Sequence, residues 1–372
     1  MRFPLRSSIA VAAALFAATA SAKQTVKIGA ALSMTGPAAS YGAQQKAGIQ
    51  AAVDAVNKSG VLKDIVLEVV VEDDASTKEQ GLAVFQRFIN QTKVSAIIGP
   101  TLSNTAFATD PLAQQAKVPV VAVSNTSPKG ITDIGEYIWR VSLTEGQVIP
   151  GALKTLQAKL GFKTAGVLYG NDDAFTKAGY DVMKATLADL KIKVLGEQTF
   201  AKPDRDYNAQ LTQLLAQKPD ILVVSALIEN ASGIVSQARQ LGWQGPIFGG
   251  NGFNNTKLME NAGPAANGVY VGTAWNRTST DDANQKFLAL MKARGGQDPD
   301  QFAAQAYTGV LVVAEAIKQA GNKGGRDDIK AGFAKVKDLP TPLGKFSFLP
   351  NRDGDHTPAI QVVKDGKFQI LQ

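Results

Sequence analysis

Apolar and polar positions alternate in blocks that switch between two periods along this chain. Val26, Ile28, Ala30 and Leu32 predict a strand, and Ala47, Ile49, Ala51, Val53 and Val56 predict a helix over about 41–57 that stops at Gly60. Ile65 to Glu72 reads as a second strand ended by Asp73-Asp74, and Ser76-Thr77-Lys78-Glu79 reads as a capping box for a helix to about Gln91. Val94 to Ile98 is a third strand, Ala106 to Ala116 a helix, and Val118 to Val123 a fourth strand. Strict strand-helix alternation means a parallel sheet with right-handed crossovers, which binds ligands at the carboxyl ends of its strands.

The pattern restarts after a strand at Tyr137 to Val141. Helices are expected at 145–159, 174–190, 207–217 and 231–241, with strands at 164–169, 192–199, 221–225, 246–250 and 268–272. Helices at 281–294, 301–320 and 326–336 follow, then a strand at 345–348 and a hairpin of 359–364 with 368–371, turned at Asp365-Gly366. No low-complexity linker divides the two α/β halves, so two lobes joined by several short crossings are expected. A chain of 372 residues with 45% hydrophobic content is long enough for a core in each lobe.

The first residues carry a different signal. Arg2 and Arg6 precede the apolar run Ile9 to Ala18, and Ala20-Ser21-Ala22 is a small-x-small cleavage site before Lys23. Residues 1–22 are therefore expected to be a removable signal peptide, the run being too short for a permanent span. With no cysteine after it for lipid attachment, a freely soluble periplasmic protein is expected. Loss of the two arginines with the leader reduces the formal charge of +7, so the basic balance is only a weak pointer to anionic ligands.

Composition removes several kinds of chemistry. The absence of cysteine excludes disulfides, thiolate metal sites and a cysteine nucleophile, and no metal site or cofactor is expected. The single histidine, His356, lies in the polar turn Asp353 to Pro358 with no serine elbow nearby, so no hydrolase triad is supported and no enzyme is expected. The basic residues are scattered rather than gathered in a stripe, which argues against nucleic acid.

Candidate binding chemistry concentrates at two strand ends. Ile97-Ile98-Gly99-Pro100 runs into Thr101-Leu102-Ser103-Asn104-Thr105, and Val118 to Val123 runs into Ser124-Asn125-Thr126-Ser127. Hydroxyls and backbone N–H groups at a helix start suit a small anion. The same serines could equally be turn or cap residues.

Taken in order, several segments resemble the type I periplasmic binding proteins of branched-chain amino-acid ABC transporters, the leucine/isoleucine/valine-binding family. They are Ile28-Gly29-Ala30 through Leu32-Ser33-Met34-Thr35-Gly36-Pro37 with Tyr41-Gly42, Glu72-Asp73-Asp74-Ala75, Ile98-Gly99-Pro100, Gln237-Ala238-Arg239-Gln240-Leu241-Gly242, Tyr307-Thr308-Gly309 and Pro342-Leu343-Gly344-Lys345-Phe346. The resemblance covers essentially residues 25–372. It implies two Rossmann-like lobes with parallel central sheets and a three-segment hinge: 23–142 plus 277–344, and 143–275 plus 346–372, crossing near 142–145, 273–277 and 343–348. It also implies a monomer that captures a small molecule by lobe closure and presents it to an inner-membrane permease.

Residue by residue, the resemblance implies a carboxylate site at Ser103, Ser124 and Thr126, flanked by Thr101, Leu102 and Asn125. Tyr41 would lean over the cleft, and Phe175 would cover the ligand. Across the cleft the match is poorer: the family's tyrosine falls on Leu227, and the glutamate that receives the ligand's ammonium falls on Asn251. A buried ammonium without a carboxylate is costly. Either Asp172, Asp173 or Glu229 supplies the charge, or the ligand has no amine. An apolar amino acid is the leading expectation, with an aromatic or keto acid, an amide or urea-like solute, or a sensor of the same fold as alternatives.

Overall fold

The computed structural model describes residues 23–296 and 298–371. The leader expected at 1–22 lies outside the described residues. The first sheet holds β1 (Gln24–Leu32), β2 (Ile65–Asp73), β3 (Ala96–Ile98), β4 (Val120–Ala122) and β5 (Ile138–Arg140) in the order β2-β1-β3-β4-β5, all parallel. Helices α1 (Ala39–Ser59), α2 (Lys78–Arg87) and α3 (Ser103–Gln115) make its first crossovers. β3 and β4 are buried throughout, as strands covered on both faces must be.

The second sheet is built from β6 (Thr164–Gly170), β7 (Lys193–Phe200), β8 (Ile221–Ser225), β9 (Ile247–Gly249) and β10 (Val269–Thr273), alternating with α4 (Glu145–Leu160), α5 (Ala174–Asp189), α6 (Asn208–Ala216), α7 (Ile228–Gln240) and α8 (Lys257–Ala262). α9 (Asp282–Arg294), α10 (Gln301–Gln319) and α11 (Arg326–Phe333) return to the first lobe. α10 lies directly on α1, where a Cβ on Gly48 would sit 2.2 Å from the Ala303 carbonyl oxygen, so only glycine permits that approach.

A small sheet of β11 (Leu339–Thr341), β12 (Gly344–Phe348) and β13 (Gly354–Asp355) precedes the final hairpin, β14 (Ala359–Lys364) and β15 (Lys367–Ile370). β14 pairs antiparallel with β10, giving the second sheet the order β15-β14-β10-β9-β8-β6-β7. The chain thus passes between lobes after β5, after β10 and before β14. Leu343 and Phe346 are buried in the first lobe's core, so the last passage comes later than the resemblance implies, between β13 and β14.

Two local readings are corrected. The cap of α2 is Thr77, whose hydroxyl accepts from the Gln80 N–H; Ser76 is left-handed (φ 59) and its hydroxyl instead bridges the Thr35 carbonyl and the Ala38 N–H. α3 begins at Ser103, ahead of the apolar pattern that marked Ala106 as its start. That shift puts the polar motif inside the first helical turn.

Candidate functional site

β3 is the element that places the site. It ends at Ile98 and gives way to Gly99 (φ 110), where a Cβ would lie 2.2 Å from the Ala31 carbonyl oxygen. The chain then turns through Pro100 and Thr101 into α3. The N-cap of α3 is Leu102, and no side chain caps it, so the first-turn N–H groups are left for another acceptor. Ser103 Oγ has no hydrogen bond among the described residues and stands beside them.

Tyr41, Thr101, Leu102, Ser103, Ser124 and Phe302 from the first lobe meet Phe175, Leu227, Asn251 and Gly252 from the second around one cavity. It contains about 280 Å³ unoccupied by protein atoms, of which the centres of water-sized molecules reach about 20 Å³. That is room for about one water as the lining side chains stand, so a larger ligand requires them to move aside. Eight of the thirteen residues named from sequence line this cavity; Asn125, Thr126, Asp172, Asp173 and Glu229 do not.

The lobes touch through polar contacts around the cavity. The Tyr41 phenol donates to the Gly252 carbonyl and accepts from the Ile228 N–H, each at 2.7 Å. Ile228 opens α7, a second helix without a side-chain cap, so Tyr41 satisfies one of its orphan donors. Burial pushes the Tyr41 phenol well above its usual pKa, keeping it a donor. Asn104 bridges to Asp173 (2.8 Å), and Asn255 donates to Asp300 (2.9 Å).

Several expected roles change on inspection of partners. The Thr101 hydroxyl donates to Gln45 Oε1 and accepts from the Ser33 N–H, while the Ser124 hydroxyl donates to the Thr101 carbonyl and accepts from Gln45 Nε2. Both hydroxyls have spent their protons inside the first lobe, which leaves Ser103 as the serine with a free donor. Gln45 is a residue the sequence reasoning missed; a polar position within the buried side of α1 was its signal. Thr126 Oγ1 is buried with no partner, whereas the Asn125 carbonyl accepts from Arg140 and Ser142.

None of the three acids expected to supply charge lines the cavity. Asp173 is the N-cap of α5, accepting from the Phe175 and Thr176 N–H groups, and pairs with Lys202 at 2.7 Å. Asp172 accepts from the Lys202 N–H, and Glu229 pairs with Arg205 near the surface at 3.4 Å. Three buried acids accept N–H groups of cavity-lining residues: Asp173 from Phe175, Asp300 from Phe302, and Glu145, which the sequence did not single out. The Glu145 N–H donates to the Thr126 carbonyl at 2.9 Å, and its Oε1 accepts the N–H of cavity-lining Asn251 at 3.0 Å.

Glu145 thus spans the loop after β4 and the loop after β9. Burial raises its pKa to about 7, and the Asn251 hydrogen bond only partly opposes this. The sequence placed it merely at a helix start, where acids are ordinarily solvated; Thr144 and Gln147 form the capping box there, and tertiary packing buries the acid. The aromatics Phe253 and Trp275 are buried in the core, Trp275 edge-on to Phe287. Among the described residues no cluster of His, Cys, Asp and Glu suits a metal ion.

A two-lobed α/β chain with an open helix N-terminus at a small interlobe cavity matches one family model, periplasmic binding protein, over residues 25–367. The chain belongs to the periplasmic binding protein family. This binding protein is 29% identical over 342 residues to the leucine-, isoleucine-, valine-, threonine- and alanine-binding protein of Pseudomonas aeruginosa, covering 91% of this chain and 90% of that one. Its fold superposes with TM-score 0.87 and 28% identity on the branched-chain amino acid transporter substrate binding protein LivJ of Streptococcus pneumoniae in complex with isoleucine, covering 94% and 99% of the two chains. A solute binding protein of Rhodopseudomonas palustris BisB5 in complex with 3,4-dihydroxybenzoic acid gives TM-score 0.81 at 27% identity, covering 92% and 95%. The family consists of extracytoplasmic solute-binding proteins, and no helix among the described residues is long and apolar enough to cross a membrane.

Proposed function

We propose that this chain captures a small carboxylate, foremost an apolar amino acid of the leucine class, by closing its lobes, and hands it without chemical change to an ABC permease. The observation that carries the reading is the uncapped start of α3 with the free Ser103 hydroxyl at the cavity wall. Backbone N–H groups at a helix N-terminus favour a carboxylate, and the hydroxyl adds a donor. Leu102, Phe175, Leu227 and Phe302 form an apolar wall suited to an aliphatic side chain. Glu145, next to Asn251, supplies the negative charge for the ammonium in place of a glutamate in the loop after β9.

A carboxylate without an amine is the second reading, favoured by Leu227 and Asn251, which offer no charge of their own. The similar protein bound to 3,4-dihydroxybenzoic acid supports keeping it. Under either reading residues 1–22 are cleaved on export, and the mature chain acts as a periplasmic monomer. A thermal-shift screen of the chain from Lys23 against amino acids, keto acids, aromatic acids and amides tests this, because a ligand raises stability with the logarithm of its concentration over Kd. Stabilisation by leucine, isoleucine or valine is expected; stabilisation by amides alone would overturn the carboxylate reading.

A further inference from the structure

Among the described residues Arg140 is the largest side chain buried completely, with 0% exposure. It closes β5. One guanidinium nitrogen donates to two carbonyls of the loop after β4: Asn125 at 3.1 Å and Ser127 at 2.6 Å. Nε and the second terminal nitrogen reach Asp353 Oδ1 at 2.8 and 2.7 Å. Asp353 is itself buried, taking further hydrogen bonds from Thr132 Oγ1 at 3.1 Å and Asn351 Nδ2 at 3.0 Å.

These contacts grip the loop from behind. The Asn125 carbonyl is also held by Ser142 Oγ at 3.1 Å, and the Thr126 carbonyl by the Glu145 N–H at 2.9 Å. Three successive carbonyls, those of Asn125, Thr126 and Ser127, are therefore engaged, while the Thr126 hydroxyl is buried with no partner. Ser124, which opens this loop, lines the cavity, and Asn125 to Ser127 follow it without lining the cavity themselves; with their carbonyls held by donors, none of them can swing a carbonyl oxygen into the cavity to meet an anion. A planar guanidinium suits this task because its donors have fixed directions.

The loop is thereby tied toward both neighbouring crossings, by Ser142 and Glu145 directly and by Arg140 through Asp353. Ser142 and Glu145 lie on the passage after β5, and Asp353 lies immediately before β13, on the approach to β14. We propose that Arg140, neutralised by Asp353, is a positioning residue: it fixes the Asn125–Ser127 loop with its carbonyls turned away from the ligand, and so sets the preference for a carboxylate over an uncharged amide. The proposal rests on the carboxylate reading given above.

Its test compares acid and amide rather than affinity alone. Leucine with leucinamide, and benzoate with benzamide, are titrated calorimetrically into wild type, Arg140→Lys and Arg140→Met, with the melting temperature of each unliganded protein recorded. The expected result is a fall of at least about tenfold in the acid-to-amide affinity ratio for Arg140→Met, and partial rescue by Arg140→Lys, which keeps the charge but not the fork. A general loosening of the fold would lower both affinities together and leave the ratio unchanged, and that result overturns the proposal. Should neither variant fold, Ser142→Ala removes one donor to the Asn125 carbonyl; a ratio reduced about threefold supports the proposal and an unchanged one overturns it. Wild type that binds neither acid refutes the carboxylate reading itself, separately from any effect of Arg140.

Discussion

The carboxylate of Glu145 accepts the backbone N–H of Asn251 across 3.0 Å, joining the start of α4 to the loop after β9. One hydrogen bond is poor compensation for a fully buried charge, which is why its pKa rises from the usual 4.5 to about 7. The folded protein therefore holds a proton that the unfolded chain has lost between those values. Its contribution to stability is complete below pH 4.5 and disappears as pH rises through about 7. Glu145→Gln keeps an acceptor and removes the titration. We expect it to be more stable than wild type at pH 8, by up to ~3 kcal/mol, with the difference vanishing at pH 4. Urea denaturation at the two pH values measures this; equal stabilities at pH 8 would show the carboxylate to be solvated.

The same variant decides the ligand's charge. If an ammonium sits beside Glu145, Glu145→Gln should weaken leucine by tenfold or more while leaving an aromatic acid nearly unaffected. Calorimetry with leucine and benzoate reads this directly. Undiminished leucine affinity at pH 8 would remove Glu145 from the ammonium site.

His356 gives the opposite slope. Its Nε2 lies 3.3 Å from the Val141 carbonyl, Nδ1 is buried without a partner, and burial lowers its pKa from 6.5 to about 4. Here the unfolded chain binds the extra proton, so the stability held above pH 6.5 is lost progressively as pH falls toward 4. His356→Gln should flatten that acid limb by up to ~3 kcal/mol between pH 7 and 4. Denaturation midpoints of the variant that track wild type throughout would contradict a neutral buried imidazole.

What the sequence made legible was the periodic part. Strand-helix alternation marked the parallel strands of both sheets, and the Asp365-Gly366 turn marked the antiparallel hairpin that completes the second. Ser103 was singled out by the polar run after β3 together with the resemblance, since by residue type alone it could equally have been a turn or cap residue; the structure places it at the cavity wall. Glu145, Gln45 and Arg140 were not, because each is an ordinary polar residue whose burial depends on distant segments: Asn251, Ser124 and Asp353. Asp173 misled for the converse reason. An acid before a helix reads alike whether it faces a ligand or caps the helix, and Lys202 and Asn104, which complete its partners, are remote in sequence.

Tyr41 joins the lobes by two hydrogen bonds and also lines the cavity. Tyr41→Phe keeps the ring against Phe302, whose centroid is 4.4 Å away, and deletes only the hydroxyl. The Gly252 carbonyl and Ile228 N–H then lose their partner only when the lobes close. Affinity should fall about tenfold while the unliganded melting temperature changes little, since about 1–2 kcal/mol is lost from the closed state alone. Parallel calorimetry and melting would expose an equal loss in both, which would mean that the contact stabilises the fold rather than closure.

Ser103→Ala and Gln45→Leu separate ligand contact from support. Ser103 has a free hydroxyl and caps nothing, so its removal should weaken carboxylate binding about tenfold with little change in melting temperature. Gln45 touches Thr101 and Ser124 through both ends of its amide, 2.7 Å each, and all three side chains are buried. Leucine in its place leaves the Thr101 hydroxyl without its acceptor and the Ser124 hydroxyl without its donor, a loss of about 2–4 kcal/mol in stability for two buried groups. Binding should weaken as well, because the loop carrying Thr101 sets the position of Ser103. If Ser103→Ala destabilised the unliganded protein as much as Gln45→Leu, the start of α3 would be held by Ser103 itself, and the open helix end would lose its standing as the carboxylate site.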